Sequence, residues 1–383
     1  MLALILYLSI GFGIYLFVLL VLLYEMKLKQ IKGFLKLGYS IILVSTVFIY
    51  PVSMRFFYYL TPRQAYLFPI TELAKPLPNF ILETMFSLDY EWYSNNPERT
   101  IELARKTRLK SRYVSYYFNM ASASINKLPE NLLSFNQYGL YGMFIPYDKE
   151  TNFISLLFGN ELYYLIGDMN ASQHFALMAN TFSPKGESSR MFRRLVETNI
   201  INGEYAVVRK YLKMLNQTIF YRNWASEMEQ YLTNQELCKK TPLIVQKREL
   251  RPTTDHIKSN PNDFVSSLYF LLNDHPENQI ALDYLLCICL LNKDIEGFYD
   301  ALVKYNYNQS GTNLPRLYQE ALIVYSAIKR DKEILNTFHV STEILKQSKL
   351  YEEKYFQAYG KKSVLMKDFG NTYWVYLSFS SQP

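Results

Sequence analysis

A chain of 383 residues, 49% of them hydrophobic, is long enough to bury a sizeable core and to hold two domains. Its formal charge of +7 is spread along the sequence with no arginine-rich or base-stacking motif, which excludes nucleic acid as a partner and leaves acidic lipid headgroups as the reason for the excess. Cys238, Cys287 and Cys289 cannot make a disulfide framework, and with no Cys-x-x-Cys pair or Cys/His ladder they read as small buried hydrophobes, not as ligands of zinc or any other metal.

Residues 1–24 carry no charge, and at about 1.5 Å per residue a helix there would extend roughly 36 Å, more than a hydrocarbon core of about 30 Å. A second uncharged run, Leu37–Met54, contains Pro51 and exits through Phe56, Phe57, Tyr58 and Tyr59. The expectation is a transmembrane helical hairpin over residues 1–60, with membrane lipid as a partner. Lys27, Lys29, Lys32 and Lys36 would then mark the connecting loop as cytoplasmic and put the body on the other side. A chain that starts directly in such a helix is expected either to be the C-terminal part of a larger multi-span protein or to need no more than these two spans.

Pro62, Pro69, Pro76 and Pro78 make residues 61–79 an irregular connector. Asn96-Pro97 has the form of an N-cap followed by proline in the first turn, opening a helix from Glu98 to Arg108, and a second helix follows from Ser111 to about Asn126. Gln137, Gly139 and Gly142 then form a turn.

From Phe153 to Ile166 apolar residues recur at helical spacing, Gly167-Asp168 breaks the pattern, and Ala171, Phe175, Met178, Ala179 and Phe182 form the face of a returning helix. The design repeats from Glu187 to Ile201, breaks at Asn202-Gly203, and resumes with Val208, Tyr211, Leu212 and Leu215. Glycine at each break can take the positive φ that ends a helix. Gly167 and Gly203 are thirty-six residues apart, close to the roughly 34-residue tetratricopeptide period, although the early Trp-Leu-Gly signature of such repeats is missing. The fold class expected is mostly α, with a tetratricopeptide-like α-α solenoid after the membrane hairpin. It divides into a helical block at 80–236, a Lys-, Arg-, Thr- and Pro-rich linker at 237–260, and a second block at 261–383 with helices opened by Asn260-Pro261 and His275-Pro276 and an aromatic tail.

The runs RRLVETNIINGEYAVVRKYL, TIFYRNWA, NQYGLYGMF, LPRLYQEAL and FGNTYW together resemble an uncharacterised family of Bacteroidota inner-membrane proteins, over about Trp92 to Ser380. The resemblance implies several membrane spans joined to an extracytoplasmic, tetratricopeptide-like helical domain, hence a body on the periplasmic side of a bacterial inner membrane. It implies no activity.

No catalytic constellation is present. There is no Gly-x-Ser-x-Gly elbow, His-Glu-x-x-His or dinucleotide turn, and Asp89 and Glu91 would face apart on a helix instead of cooperating on a glycosidic bond. His174 reads as a packed imidazole. The polar residues that stand out are Arg190, Arg194, Glu197, Asn199, Asn202, Tyr221, Arg222 and Trp224. Arg194 and Glu197 can pair along one helix, and Arg190 stands one turn from Arg194. Two roles suit them: linking neighbouring helix pairs through buried carboxylates and backbone, or lining a groove for a peptide carboxylate or a sugar. The function expected is a non-enzymatic scaffold that uses no cofactor and holds a protein or peptide. The alternative is an accessory or C-terminal domain of a multi-span enzyme, such as a lipid-linked glycosyltransferase.

Overall fold

The computed structural model describes residues 7, 11, 13–27, 33–58, 62–67, 80–147, 151, 153–183, 187–234, 236–252, 263–305, 307 and 314–380. Among them the chain is mostly helical and forms no strand; Tyr138 and Leu140 make an isolated bridge in the turn. It divides into two compact units, Met1–Glu83 and Thr84–Pro383.

In the first unit α1 (Gly13–Lys27) packs on α2 (Gly33–Tyr58), and α2 on the short α3 (Pro62–Leu67). Tyr7, Ile14 and Val18 are buried, and the Tyr7 hydroxyl donates to the Ala65 carbonyl. The expected transmembrane hairpin is not what these helices make. Among the described residues no helix is long and apolar enough to cross a membrane. At 15 residues α1 reaches about 22 Å, short of a hydrocarbon core of about 30 Å. The longer α2 contains Pro51 and is interleaved with Tyr39, Ser45, Tyr50 and Ser53, and the two serine hydroxyls bond back to the Ile41 and Ile49 carbonyls. The uncharged stretches at 1–24 and 37–54 match a span in composition, but the described part of the first helix is too short for one, and the second carries proline and hydroxyl side chains. Lys29 and Lys32, used to orient the hairpin, and Tyr59 of its aromatic exit lie outside the described residues. Where a wholly irregular connector is expected, residues 62–67 form a helix.

The second unit begins within α4 (Phe80–Tyr93) and continues through α5 (Pro97–Lys106), α6 (Arg112–Ser124), α7 (Leu128–Asn131), α8 (Phe153–Ile166), α9 (Met169–Phe182), α10 (Ser189–Asn202) and α11 (Tyr205–Leu215). Consecutive helices from α8 to α11 pack on one another, as antiparallel pairs turned at the two glycines. Gly203 takes φ +82 and closes α10, with the Glu204 N–H returning to the Asn199 carbonyl at 2.9 Å. Gly167 takes φ +93, and a Cβ placed on it would lie 2.9 Å from the Leu250 Cβ, so both conformation and space demand glycine there. Asp168 then caps α9, accepting from the Ala171 N–H at 2.9 Å.

The first part of the segment expected as a linker forms α14 (Glu236–Lys240) and α15 (Pro242–Glu249), reached through α12 (Arg222–Met228) and α13 (Gln230–Thr233), and residues 253–260 of it lie outside the described residues. Its basic character has a structural purpose. Lys247 donates to the Leu165 carbonyl at 2.7 Å, Arg248 to Ile200 and Ile201 at 2.8 and 3.1 Å, and Arg251 to Asn202 at 3.2 Å. These are carbonyls of the C-terminal turns of α8 and α10, where cations are favoured.

Beyond it lie α16 (Phe264–Asp274), α17 (Gln279–Leu291), α18 (Ile295–Lys304), α19 (Arg316–Lys329), α20 (Glu333–Thr337), α21 (Thr342–Gln357), α22 (Lys362–Phe369) and α23 (Tyr373–Phe379). The expected start at Asn260-Pro261 lies outside the described residues; Asp263 caps α16, and Asn278, not His275, caps α17. Residues 281–291 of α17 are buried on every side, which makes it the central helix of the core, against α6, α7, α8, α16 and α18. Asn278 also donates to the Ile166 carbonyl at 2.8 Å, tying α17 to the end of α8. The aromatic tail is helical: Glu320 accepts from the Tyr373 N–H at 2.7 Å and Lys293 donates to the Leu377 and Ser380 carbonyls, so both ends of α23 are held. Cys238, Cys287 and Cys289 are free and buried.

Candidate functional site

The charged residues of the second unit gather where α4, α8 and α10 meet. On α10 the spacing of Arg190, Arg193, Arg194 and Glu197 places them along one side of the helix. Arg190 reaches Asp89 on α4 through two nitrogens at 2.5 and 2.8 Å, and Glu161 on α8 at 2.9 Å. Arg194 donates to Glu161 at 2.6 Å, to Glu197 at 2.8 Å and to the Asn160 side-chain oxygen at 3.1 Å. Arg193 turns outward to Glu197 at 2.9 Å and to the Tyr93 hydroxyl at 3.0 Å. Trp92 Nε1 donates to Glu161 at 3.2 Å, and the Tyr117 hydroxyl to Asp89 at 2.6 Å.

Three carboxylates therefore face three guanidiniums, and the group is charge-balanced. Burial alone would push the Glu161 carboxyl up, but Arg194 and Arg190 outweigh it and hold it below the ordinary glutamate range. Burial likewise works against Arg194, yet Glu161 and Glu197 keep it firmly protonated. Glu161 is thus held ionised between two guanidiniums held charged, and its carboxylate oxygens are taken up by Arg190, Arg194 and Trp92. The network ties three helices together.

Its outer edge differs. Side-chain exposure rises from 8% at Arg194 through 16% at Arg190 to 30% at Arg193. The Arg193 guanidinium lies 4.9 Å from the Tyr93 ring centre and 5.0 Å from that of Trp224, while Arg190 covers Tyr93 at 4.4 Å. The Tyr93 and Tyr221 hydroxyls are 3.4 Å apart, and burial, with Tyr221 beside it, pushes Tyr93 above its usual range. In the loop leading to α12, Ile219 and Phe220 are 72% and 86% exposed.

Of the residues singled out in the sequence, Arg190, Arg194, Glu197, Tyr221 and Trp224 come together in and beside this network. Asn199 faces inward and donates to the Leu195 carbonyl, Asn202 sits at the end of α10 under Arg251, and Arg222 donates to the Asn216 carbonyl at 3.1 Å, so these three lie apart from it. Sequence reasoning missed Glu161, Asn160, Trp92, Tyr93, Tyr117 and Tyr164, the last stacked under Arg194 at 3.8 Å. Arg193 had a visible signal, its four-residue spacing to Glu197. Asp89 turns to Arg190, while Glu91 accepts from Asn96 at 3.4 Å, so the two carboxylates share no site. His174 is exposed, edge-on to Phe175, not packed. Among the described residues no group of three or more His, Cys, Asp or Glu is placed to hold a metal.

A second buried acid, Asp283 on α17, accepts from Tyr318 at 2.7 Å and Tyr307 at 3.1 Å, with the Cys287 sulfur 3.7 Å from the Tyr318 hydroxyl. Burial raises Asp283 to about 6 and drives the Cys287 thiol well above its usual range, so this thiol is protonated and unreactive.

Fold and site together define an all-helical protein whose buried charges are spent on holding helices to one another. The chain belongs to the family of unknown function DUF6057, whose model matches residues 1–380. No curated protein and no solved structure matches it.

Proposed function

We propose that the protein is a non-enzymatic helical scaffold that holds a protein or peptide partner against the outer edge of the charge network. The observation that carries this reading is the Tyr93–Arg193–Trp224 stack, half-open to solvent, with Tyr221 beside it and Phe220 protruding next to it. Arginine, tyrosine and tryptophan held rigidly at a surface are the residue types that dominate binding at protein interfaces. Arg190 and Arg194 serve as the support of that surface, not as its contacts. The pairing of helices about Gly167 and Gly203 supports a tetratricopeptide-like kinship, and the quoted motifs support a Bacteroidota origin. Leu16, Leu19, Leu20 and Leu23 on α1 and Ile41, Ile42 and Ile49 on α2 face outward, which supports lipid at a bilayer surface as a second partner of the N-terminal unit.

The test is a photo-crosslinking amino acid introduced in cells at Phe220, with Lys349 as an exposed control position on α21. A discrete protein adduct from position 220, absent from position 349 and lost on Trp224→Ala, is the expected result. The same adducts from both positions, or none from a folded chain, would refute the proposal.

A further inference from the structure

A cavity of about 360 Å³ opens between the turn joining α5 to α6 and the turn that follows α7. Leu109, Val114, Phe135 and Tyr138 give it apolar and aromatic lining, and Arg108 and Lys110 line it as well. The volume lies in the range of small-molecule sites, mostly apolar with a few placed polar groups. At about 30 Å³ per water-sized group it admits about a dozen such groups.

The cations between residues 105 and 112 divide in a telling way. Arg105 donates to Asn131 and Ser134 and covers Phe118; Lys106 pairs with Glu102; Arg112 covers the Tyr113 ring. Arg108 and Lys110, the two that line the cavity, enter no ion pair or hydrogen bond among the described residues. Three hydroxyls of the lining take part in local hydrogen bonds: Thr107 accepts from the Leu109 N–H, Ser111 from the Tyr113 N–H, and Ser115 donates to the Asn136 carbonyl at 2.7 Å. Phe135 is fixed by stacking on Phe118 at 4.2 Å between ring centres. The pocket thus presents an apolar floor and two positive charges, with no carboxylate among its described lining residues.

We infer that this cavity binds a small anionic amphiphile, its apolar body against Leu109, Val114, Phe135 and Tyr138 and its carboxylate or phosphate head between Arg108 and Lys110. Two cations without acid partners suit a singly or doubly charged head, and Arg108 supplies the planar fork that carboxylate and phosphate both fit. The assignment is independent of the protein surface at Trp224, which none of these residues touches.

Calorimetric titration of the full chain decides it, with decanoate and decyl phosphate as the two headgroups, decanol as the body without charge and acetate as the head without body. Decanoate or decyl phosphate is expected to bind about tenfold or more tightly than decanol, since a charge-assisted contact is lost with the head. The tighter of the two identifies the head. Arg108→Gln with Lys110→Gln is expected to reduce the favoured ligand to the affinity of decanol, and Asn136→Trp, a cavity-filling change at an exposed position, to remove it. Because the wild-type comparison of decanoate, decyl phosphate and decanol uses no variant, a folding defect cannot mask the answer. Equal binding of decanol and both acids, absence of binding by either acid, or unchanged binding by the folded Asn136→Trp chain would overturn the assignment.

Discussion

Replacing Glu161 by glutamine keeps the volume of the side chain and one oxygen for the arginines, and removes a single negative charge from the centre of the network. Asp89 and Glu197 then face Arg190, Arg193 and Arg194 alone, leaving one positive charge uncompensated where Arg194 is 8% and Glu161 5% exposed. Breaking a buried pair from one side costs about 3–5 kcal/mol. The unit Thr84–Pro383 holds about 300 residues, and at about 2.1 cal/mol/K each the unfolding entropy is about 0.6 kcal/mol/K, so melting falls by about 5–8 °C. Scanning calorimetry at pH 7 reads this directly. The acid limb supplies a second reading. Because the arginines hold Glu161 below its ordinary range, its contribution is present above the unfolded value of about 4.3 and is lost as pH falls through the folded one. Glu161→Gln should accordingly show a shallower loss of stability below about pH 4.3. Removing both partners, as in Glu161→Leu with Arg194→Met, should cost less than Glu161→Gln alone. A melting shift under about 1 °C for Glu161→Gln, or an acid limb unchanged from wild type, would refute the view that charge balance across α4, α8 and α10 holds these helices.

Asp283, raised by burial to about 6 against an unfolded value of about 3.9, keeps a proton in the fold that the unfolded chain releases, so stability falls between about pH 4 and 6. Asp283→Asn should raise the melting temperature at pH 7 and leave it unchanged near pH 3.5, as followed by circular dichroism. Burial and Arg194 lower Lys247 to about 8 against about 10.4 unfolded, so its charged form strains the fold below pH 8 and stability recovers as pH rises above it. The difference in melting between wild type and Lys247→Met should narrow or widen in favour of wild type between pH 8 and 9.5, and a pH-independent difference would contradict this. Gly167→Ala meets both a left-handed backbone and the Leu250 Cβ at 2.9 Å, whereas Gly203→Ala meets open space, so urea titration should show the first costing clearly more than the second, which is set at about 1–2 kcal/mol by backbone alone. Flotation with anionic vesicles should carry the full chain upward, and the outward substitutions Leu20→Ser with Ile42→Ser should reduce the floated fraction.

How much of this was legible in the sequence depended on whether the signal was local. The turn at Gly203 and the pairing of Arg194 with Glu197 are decided within a few residues, and the sequence shows both. The partners of Arg190 are not local: Asp89 and Glu161 lie 101 and 29 residues away, and no spacing rule joins them. The basic stretch around Lys247 and Arg248 misleads for a related reason. Composition without periodicity reads as a linker, yet its cations are chosen for carbonyls on helices that end some forty to eighty residues earlier. The N-terminal hairpin fails in the opposite direction. Hydropathy over residues 1–60 counts side chains and takes an unbroken helix for granted, while the described helix α1 stops at 15 residues and α2 carries proline and hydroxyls.

The two sets of cations in the second unit make the same point about function. Arg190 and Arg194 are consumed by carboxylates, and Lys247 and Arg248 direct their donors to backbone carbonyls at helix ends. Arg108 and Lys110 come from an equally basic stretch, but they line a cavity and have no ion pair or hydrogen bond among the described residues. A positively charged segment therefore says little about binding until each donor is followed to its acceptor. In this chain doing so separates two proposed sites, a protein surface at Arg193 and Trp224 and a small-molecule cavity at the short turn before α6.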